Sequence, residues 1–165
     1  MSHLPPRPRR TTRGQHFTII ASRYNESYTN ALVQATIQEI LGYLPEAKVE
    51  LHQVPGAYEI PVAVEFVARR ADSPGVIIAL GLILEGKTKH ADLIAQTVTD
   101  ALQRTATTHL IPVIDAVLLC LDEKQAYARC MGDNMNRGTE AARAALEMAD
   151  VMDKLAATYP AKTNG

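Results

Sequence analysis

Short apolar runs alternate along the chain with longer stretches in which apolar residues recur every three to four positions, the period of a helix buried on one side. Phe17-Thr18-Ile19-Ile20-Ala21 reads as a first strand. A helix is expected over 28–44, where Leu32, Val33, Ile37, Ile40, Leu41 and Leu44 share helical spacing and Pro45 ends the run. The alternation in 48–54 predicts a strand partly exposed on one face. The next helix begins at Pro61, a residue tolerated in a first turn because the missing N–H has no partner to lose there. Val62, Val64, Phe66 and Val67 are expected on its buried side, up to Arg70.

Residues 75–84 are nearly all apolar, which is the mark of a strand covered on both faces and therefore central. A polar loop over 85–90 opens a helix carrying Leu93, Ile94, Val98, Ala101 and Leu102. A fourth strand follows over 111–120, interrupted by Asp115, and helices over 122–131 and 139–157 close the chain. Strands alternating with helices through right-handed crossovers predict an α/β protein, a parallel sheet in a three-layer sandwich. Ligands of such sheets sit beyond the carboxyl ends of the strands, so the segments 22–25, 55–59, 85–90 and the region after Cys120 are where chemistry is expected.

Composition narrows the function classes. The chain has 165 residues, 47% of them apolar and 21% charged, which fits one globular domain and not a disordered or disulfide-stapled chain. A formal charge of -1 implies no attraction to nucleic acid or to an anionic membrane. No apolar run approaches the ~18 residues of a membrane span, and the start of the chain has no apolar signal segment, so a cytoplasmic protein is expected. Residues 1–15, rich in Pro and Arg, are expected as a flexible N-terminal arm, 16–158 as the α/β domain and 159–165 as a tail. Cys120 and Cys130 make neither a CxxC pair nor a zinc-ligand set, and no metal is expected.

The loop Glu85-Gly86-Lys87-Thr88-Lys89-His90 has the character of an anion site. Gly86 lets a ligand approach the backbone, Lys87 and Lys89 add charge, Thr88 adds a hydroxyl, and the following helix start offers free N–H groups. Gly81 to Thr88 matches the nucleotide-binding pattern GxxxxGKT letter for letter, but Leu82, Ile83 and Leu84 would waste large apolar residues in what must be a small polar turn. His90 can move protons near neutral pH, or it can simply stand at a helix start. Arg129 can clamp a phosphate through two N–H groups, or be a solvated helical arginine. Glu59 can cap the helix it precedes or accept hydrogen bonds from a polyhydroxyl chain. Tyr24 can stack on a planar heterocycle or pack on the adjacent helix.

Taken in order, these loops resemble the lumazine synthase family over about residues 16–155. The resemblance rests on Ser22-Arg23-Tyr24-Asn25, on Val54-Pro55-Gly56-Ala57-Tyr58-Glu59-Ile60-Pro61, on Gly86-Lys87-Thr88-Lys89-His90-Ala91-Asp92, and on Arg129 followed by Asn136-Arg137-Gly138. It implies a flavodoxin-like four-stranded parallel sheet flanked by helices. It also implies condensation of 5-amino-6-(D-ribitylamino)uracil with 3,4-dihydroxy-2-butanone 4-phosphate to 6,7-dimethyl-8-ribityllumazine, phosphate and water, in riboflavin biosynthesis and without a cofactor or metal. By the same resemblance Tyr24 would stack on the pyrimidine, Ala57, Tyr58 and Glu59 would hold the ribityl chain, and Ile83 would meet the ring through its backbone. Gly86, Lys87 and Thr88 would receive the phosphate, His90 would relay protons, and Arg129 would bind the phosphate from an adjacent subunit. Arg137 stands where the family commonly has lysine. The partners implied are copies of the chain itself, as a homopentamer that in some members builds a sixty-subunit shell, together with riboflavin synthase.

The sequence departs from the family pattern at several of these places. Glu85-Gly86-Lys87 reverses the usual basic-Gly-acidic order, Asp115 and Ala91 replace aromatic residues, and Leu119-Cys120-Leu121 replaces a Thr-rich strand end. Asp115 and Arg137 are therefore expected as interface contributors of altered character. The rival expectation is a weakly active or non-catalytic oligomeric paralogue that binds a flavin-like or ribityl ligand.

Overall fold

A computed structural model describes residues 15–86, 89–134 and 136–161. In chain order the elements are β1 (His16–Ser22), α1 (Glu26–Tyr43), β2 (Lys48–Val54), a single 3₁₀ turn (Ala57–Glu59), α2 (Ile60–Ala68), β3 (Val76–Leu84), α3 (His90–His109), β4 (Val113–Cys120), α4 (Glu123–Cys130) and α5 (Arg137–Thr158). Among the described residues the four strands form one parallel sheet in the order β2-β1-β3-β4. This is the three-layer arrangement that the strand and helix periods predict, with the flavodoxin-like four-stranded sheet that the resemblance implies.

β3 is central and buried along almost its whole length, as its unbroken apolar run requires. One face of the sheet packs on α1, α4 and α5 through Phe17, Ile19, Leu32, Ile40, Leu80 and Leu146. The other packs on α2 and α3 through Ile20, Ile60, Val64, Ile77, Val98 and Leu102. β2 is an edge strand, and His52 and Gln53, on opposite faces of the pleat, are both exposed. The expectation of exposure on one face alone is thus corrected: β2 pairs only with β1, at the border of the sheet, and the helix layers pack mainly over the strands nearer its centre.

The buried stripe of α2 is also corrected. Ile60, Val64 and Ala68, four residues apart, face the sheet, whereas Val62 is 71% and Phe66 60% exposed. Residues two apart on a helix lie on opposite sides, so Val62, Val64 and Phe66 cannot share one buried face. Arg70 covers part of the exposed ring, with its guanidinium carbon 3.8 Å from the Phe66 ring centre.

Polar links tie the helices together. Glu65 on α2 accepts from Thr105 Oγ1 at 2.7 Å and from Arg69 Nε at 2.7 Å, and its Oε1 lies 3.0 Å from His109 Nε2. Between α1 and α5, a Cβ on Gly138 would fall 2.4 Å from the Leu32 carbonyl oxygen, so only glycine permits this crossing. Thr36 Oγ1 spans it, within hydrogen-bonding distance of the Leu32 and Gly138 carbonyl oxygens at 2.8 and 3.0 Å. Gln15, assigned from sequence to the arm, joins the domain through Nε2 to Asp153 Oδ2 at 2.8 Å. Cys120 and Cys130 are free and buried, and burial pushes both thiols up, Cys130 to about 12, which disfavours the thiolate.

Candidate functional site

The carboxyl ends of β1, β2 and β3 open together on a cavity of about 570 Å³. Its wall includes Tyr24, Ala57, Tyr58, Glu59, Ile83, Gly86 and His90, each of them a candidate from the sequence. Lys87 and Thr88, the other two members of the expected phosphate loop, lie outside the described residues. The flanking loops are braced by main-chain hydrogen bonds: Arg23 N–H donates to the Val54 carbonyl at 2.8 Å and Tyr24 N–H to the Pro55 carbonyl at 3.1 Å.

Each wall residue is presented for a local reason. Tyr24 is 75% exposed, so its ring stands at the mouth and is not packed on the adjacent helix. Ala57 is buried and Tyr58 is 62% exposed. Glu59 precedes α2 but makes no side-chain capping bond. Its carboxylate folds back over Gly56 instead, where a Cβ would sit 2.9 Å from Oε2, so the glycine leaves the room that the acid occupies. Ile83 lies near the end of β3 and its side chain joins the core beneath α2 and α3. Gly81 to Leu84 are strand, so no small polar turn precedes Gly86 and the nucleotide-binding pattern has no structural counterpart.

His90 is the first residue of α3 and is exposed. Lys89, which precedes it, supplies no acceptor to the helix start. Among the described residues no side chain caps that first turn, whose N–H groups and positive helix end suit an anion. An imidazole, a carboxylate, an aromatic ring and a helix N-terminus thus border one cavity, a set that can bind a polyhydroxyl heterocycle and an anion and move protons between them.

Asp115, Arg129 and Arg137 border a second cavity of about 330 Å³ on the outer edge of β4, shared with Leu119 and Glu140. Arg129 is half-buried and donates through Nη1 to the Leu119 carbonyl at 3.2 Å. Arg137 is ion-paired with Glu140 one turn along α5. Asp115 accepts from Thr99 Oγ1 at 2.8 Å and from the Val117 N–H at 3.0 Å. The chain does not bring the two arginines to the His90 cavity. Among the described residues no group of three or more His, Cys, Asp or Glu is placed to hold a metal ion, and no helix is long and apolar enough to cross a membrane.

Asn25, Gly56, Leu82, Leu84, Ala91 and Ile94 also line the first cavity; the sequence gives none of them an individual role, although Asn25, Gly56 and Ala91 stand in the segments that carry the resemblance. Ile94 could have been found from its position four residues after His90, on the same side of the helix. Asn25 could have been found as an asparagine between strand and helix, a residue type that tolerates left-handed backbone.

The 6,7-dimethyl-8-ribityllumazine synthase family model matches residues 14–153. A 6,7-dimethyl-8-ribityllumazine synthase of Polaromonas sp. is 39% identical over 146 residues, covering 87% of this chain and 92% of that one. One of Xanthomonas euvesicatoria is 36% identical over 94% of this chain and 99% of that one. One of Stenotrophomonas maltophilia is 34% identical over 88% and 94%, respectively.

Proposed function

The chain belongs to the 6,7-dimethyl-8-ribityllumazine synthase family, and we propose that it condenses 5-amino-6-(D-ribitylamino)uracil with 3,4-dihydroxy-2-butanone 4-phosphate to give 6,7-dimethyl-8-ribityllumazine, phosphate and water. The observation that carries this reading is the convergence of Tyr24, Glu59, Ile83, Gly86 and His90, from three separate strand-end segments, on one cavity.

The chemistry asks for what that cavity offers. The aromatic amine attacks the ketone and water leaves as the imine forms. The phosphate ester is then eliminated, and the second amine closes the ring with loss of another water. Each step moves a proton, which the exposed His90 imidazole can take or give. Tyr24 stacks on the pyrimidine, while Ala57, Tyr58 and Glu59 hold the ribityl chain through main-chain groups and a carboxylate. Gly86, with Lys87 and Thr88, brings the phosphate to the start of α3. Holding both reactants in one place supplies much of the rate, and fixed donors around the departing phosphate supply more.

Arg129 completes the site from a neighbouring copy of the chain. Its separation from the His90 cavity within one protomer supports this, because a homo-oligomer, a pentamer in this reading, sets the β4 edge of one copy against the cavity of the next. Arg137 and Asp115 then stand at the seam. Purified protein mixed with both substrates should give lumazine absorbance together with phosphate release. Turnover no faster than the spontaneous reaction would leave the binding-only paralogue, the reading favoured by an aspartate at position 115.

A further inference from the structure

We infer that Asn25 is a positioning residue for the proposed condensation, setting the Tyr24 ring against the end of β3 through its left-handed backbone and its side-chain bond to Leu82. The inference rests on Tyr24 being the stacking platform of the reaction proposed above.

Tyr24 has little packing to hold its ring, so the backbone on either side must place it. Asn25 has φ 57° and ψ 47°, the left-handed conformation that asparagine adopts more readily than most residues. That conformation turns the chain from β1 into α1 and leaves Tyr24 at the cavity mouth.

The side chain adds a tether. Pairing between β1 and β3 ends at Ala21 and Leu80, so the Leu82 carbonyl on a 2% exposed residue lies beyond the β1 ladder. Asn25 Nδ2 donates to it at 2.9 Å and supplies the bond that a buried carbonyl needs. Thr29 Oγ1 reaches back to the Tyr24 and Asn25 carbonyls at 2.9 and 3.0 Å. With the Tyr24 N–H bound to Pro55, this one dipeptide joins the loops that follow β1 and β2 to the end of β3. The tether meets β3 one residue before Ile83, where the ring edge would lie.

Three variants separate the parts. Asn25→Gly keeps the backbone freedom and deletes the tether. Asn25→Asp keeps size and tolerance of the left-handed region, but an ionised carboxylate cannot donate to the Leu82 oxygen. Asn25→Ala loses both. Steady-state kinetics with each substrate varied in turn should show the KM for the ribitylaminouracil raised about 3- to 10-fold by Gly and by Asp, the scale of one lost hydrogen bond. The KM for the butanone phosphate should stay within about twofold, a split that a general loss of structure would not produce. In a Tyr24→Ala background, Asn25→Gly should have no further effect on the first KM.

Equal changes in both KM values, unchanged kinetics, or additivity with Tyr24→Ala would overturn the positioning role. An unfolded Asn25→Ala does not bear on the result, since Gly and Asp carry the test. The two failures are distinct: a wild-type chain without turnover overturns the reaction and this role together, whereas an active wild type with an unaltered Asn25→Gly overturns the role alone.

Discussion

Thr105 on α3 donates a 2.7 Å hydrogen bond from its hydroxyl to the Glu65 carboxylate on α2. That bond, followed by those of His109 and Arg69, holds the Glu65 carboxyl down at about 2 against the upward push of desolvation. A carboxyl lowered in the folded state stabilises the fold above its unfolded value, near 4.5, and loses that contribution as pH falls from there through about 2. The side chain is 31% exposed, so solvent screening limits the effect to about 1–2 kcal/mol. Glu65→Gln should therefore be less stable by about that amount at pH 7. Urea unfolding across pH should show the gap narrowing between about 4.5 and 2; a gap independent of pH would refute the assignment.

Arg129 should matter for the phosphorylated substrate alone. Arg129→Ala is expected to weaken its use by ~1–3 kcal/mol through loss of charge-assisted hydrogen bonds. Arg129→Lys should fall between, since an ammonium keeps the charge and loses the planar fork. Initial rates with the butanone phosphate varied would read the effect, and an equal rise in the KM for the ribitylaminouracil would argue against it.

His90→Ala should lower kcat by about 10²-fold, the low end of what a positioned acid-base group contributes, and change the KM for the phosphate substrate little. Because His90 and Arg129 would come from different copies in each site, co-refolding His90→Ala with Arg129→Ala should restore part of the activity that both variants lack alone. No recovery in verified mixed oligomers would mean that the two residues do not share a site across a seam.

Leu110 ends α3 with φ 54° and ψ 37° and is 74% exposed, so a large apolar residue occupies a conformation that suits glycine. Leu110→Gly should raise stability by about 1 kcal/mol, as relief of the left-handed strain outweighs the added freedom of the unfolded chain. The urea midpoint measures this, and a lower midpoint would show that the Leu110 side chain is held by something more than its exposure suggests.

The fold was legible because its signals are local. The all-apolar run of β3 and the spaced apolar residues of α1 and α3 each announce an element without help from the rest of the chain. α2 is where local reading failed: five apolar residues in the six positions 62–67 give no single stripe, and only packing against the sheet selects Ile60, Val64 and Ala68. The loop residues of the first cavity were legible as chemistry because parallel α/β sheets gather strand ends at one side. The role of Asn25 was not: its residue type hints at the left-handed turn, but its bond to a carbonyl 57 positions away leaves no trace in spacing. The links of Glu65 to Thr105 and His109, 40 and 44 positions apart, escaped for the same reason.

The outer border of β4 has one further consequence. The amide of Val117 is bound to Asp115, the carbonyl of Leu119 to Arg129, and the amide of Leu121 just beyond the strand to Gln125. Main-chain groups that already have partners offer no template for a visiting strand. A strand arriving at that flank would find these three groups already taken, so pairing along β4 is weakened where they lie. The same carboxylate and guanidinium that line the second cavity thus also blunt this flank against the growth of a continuous ribbon.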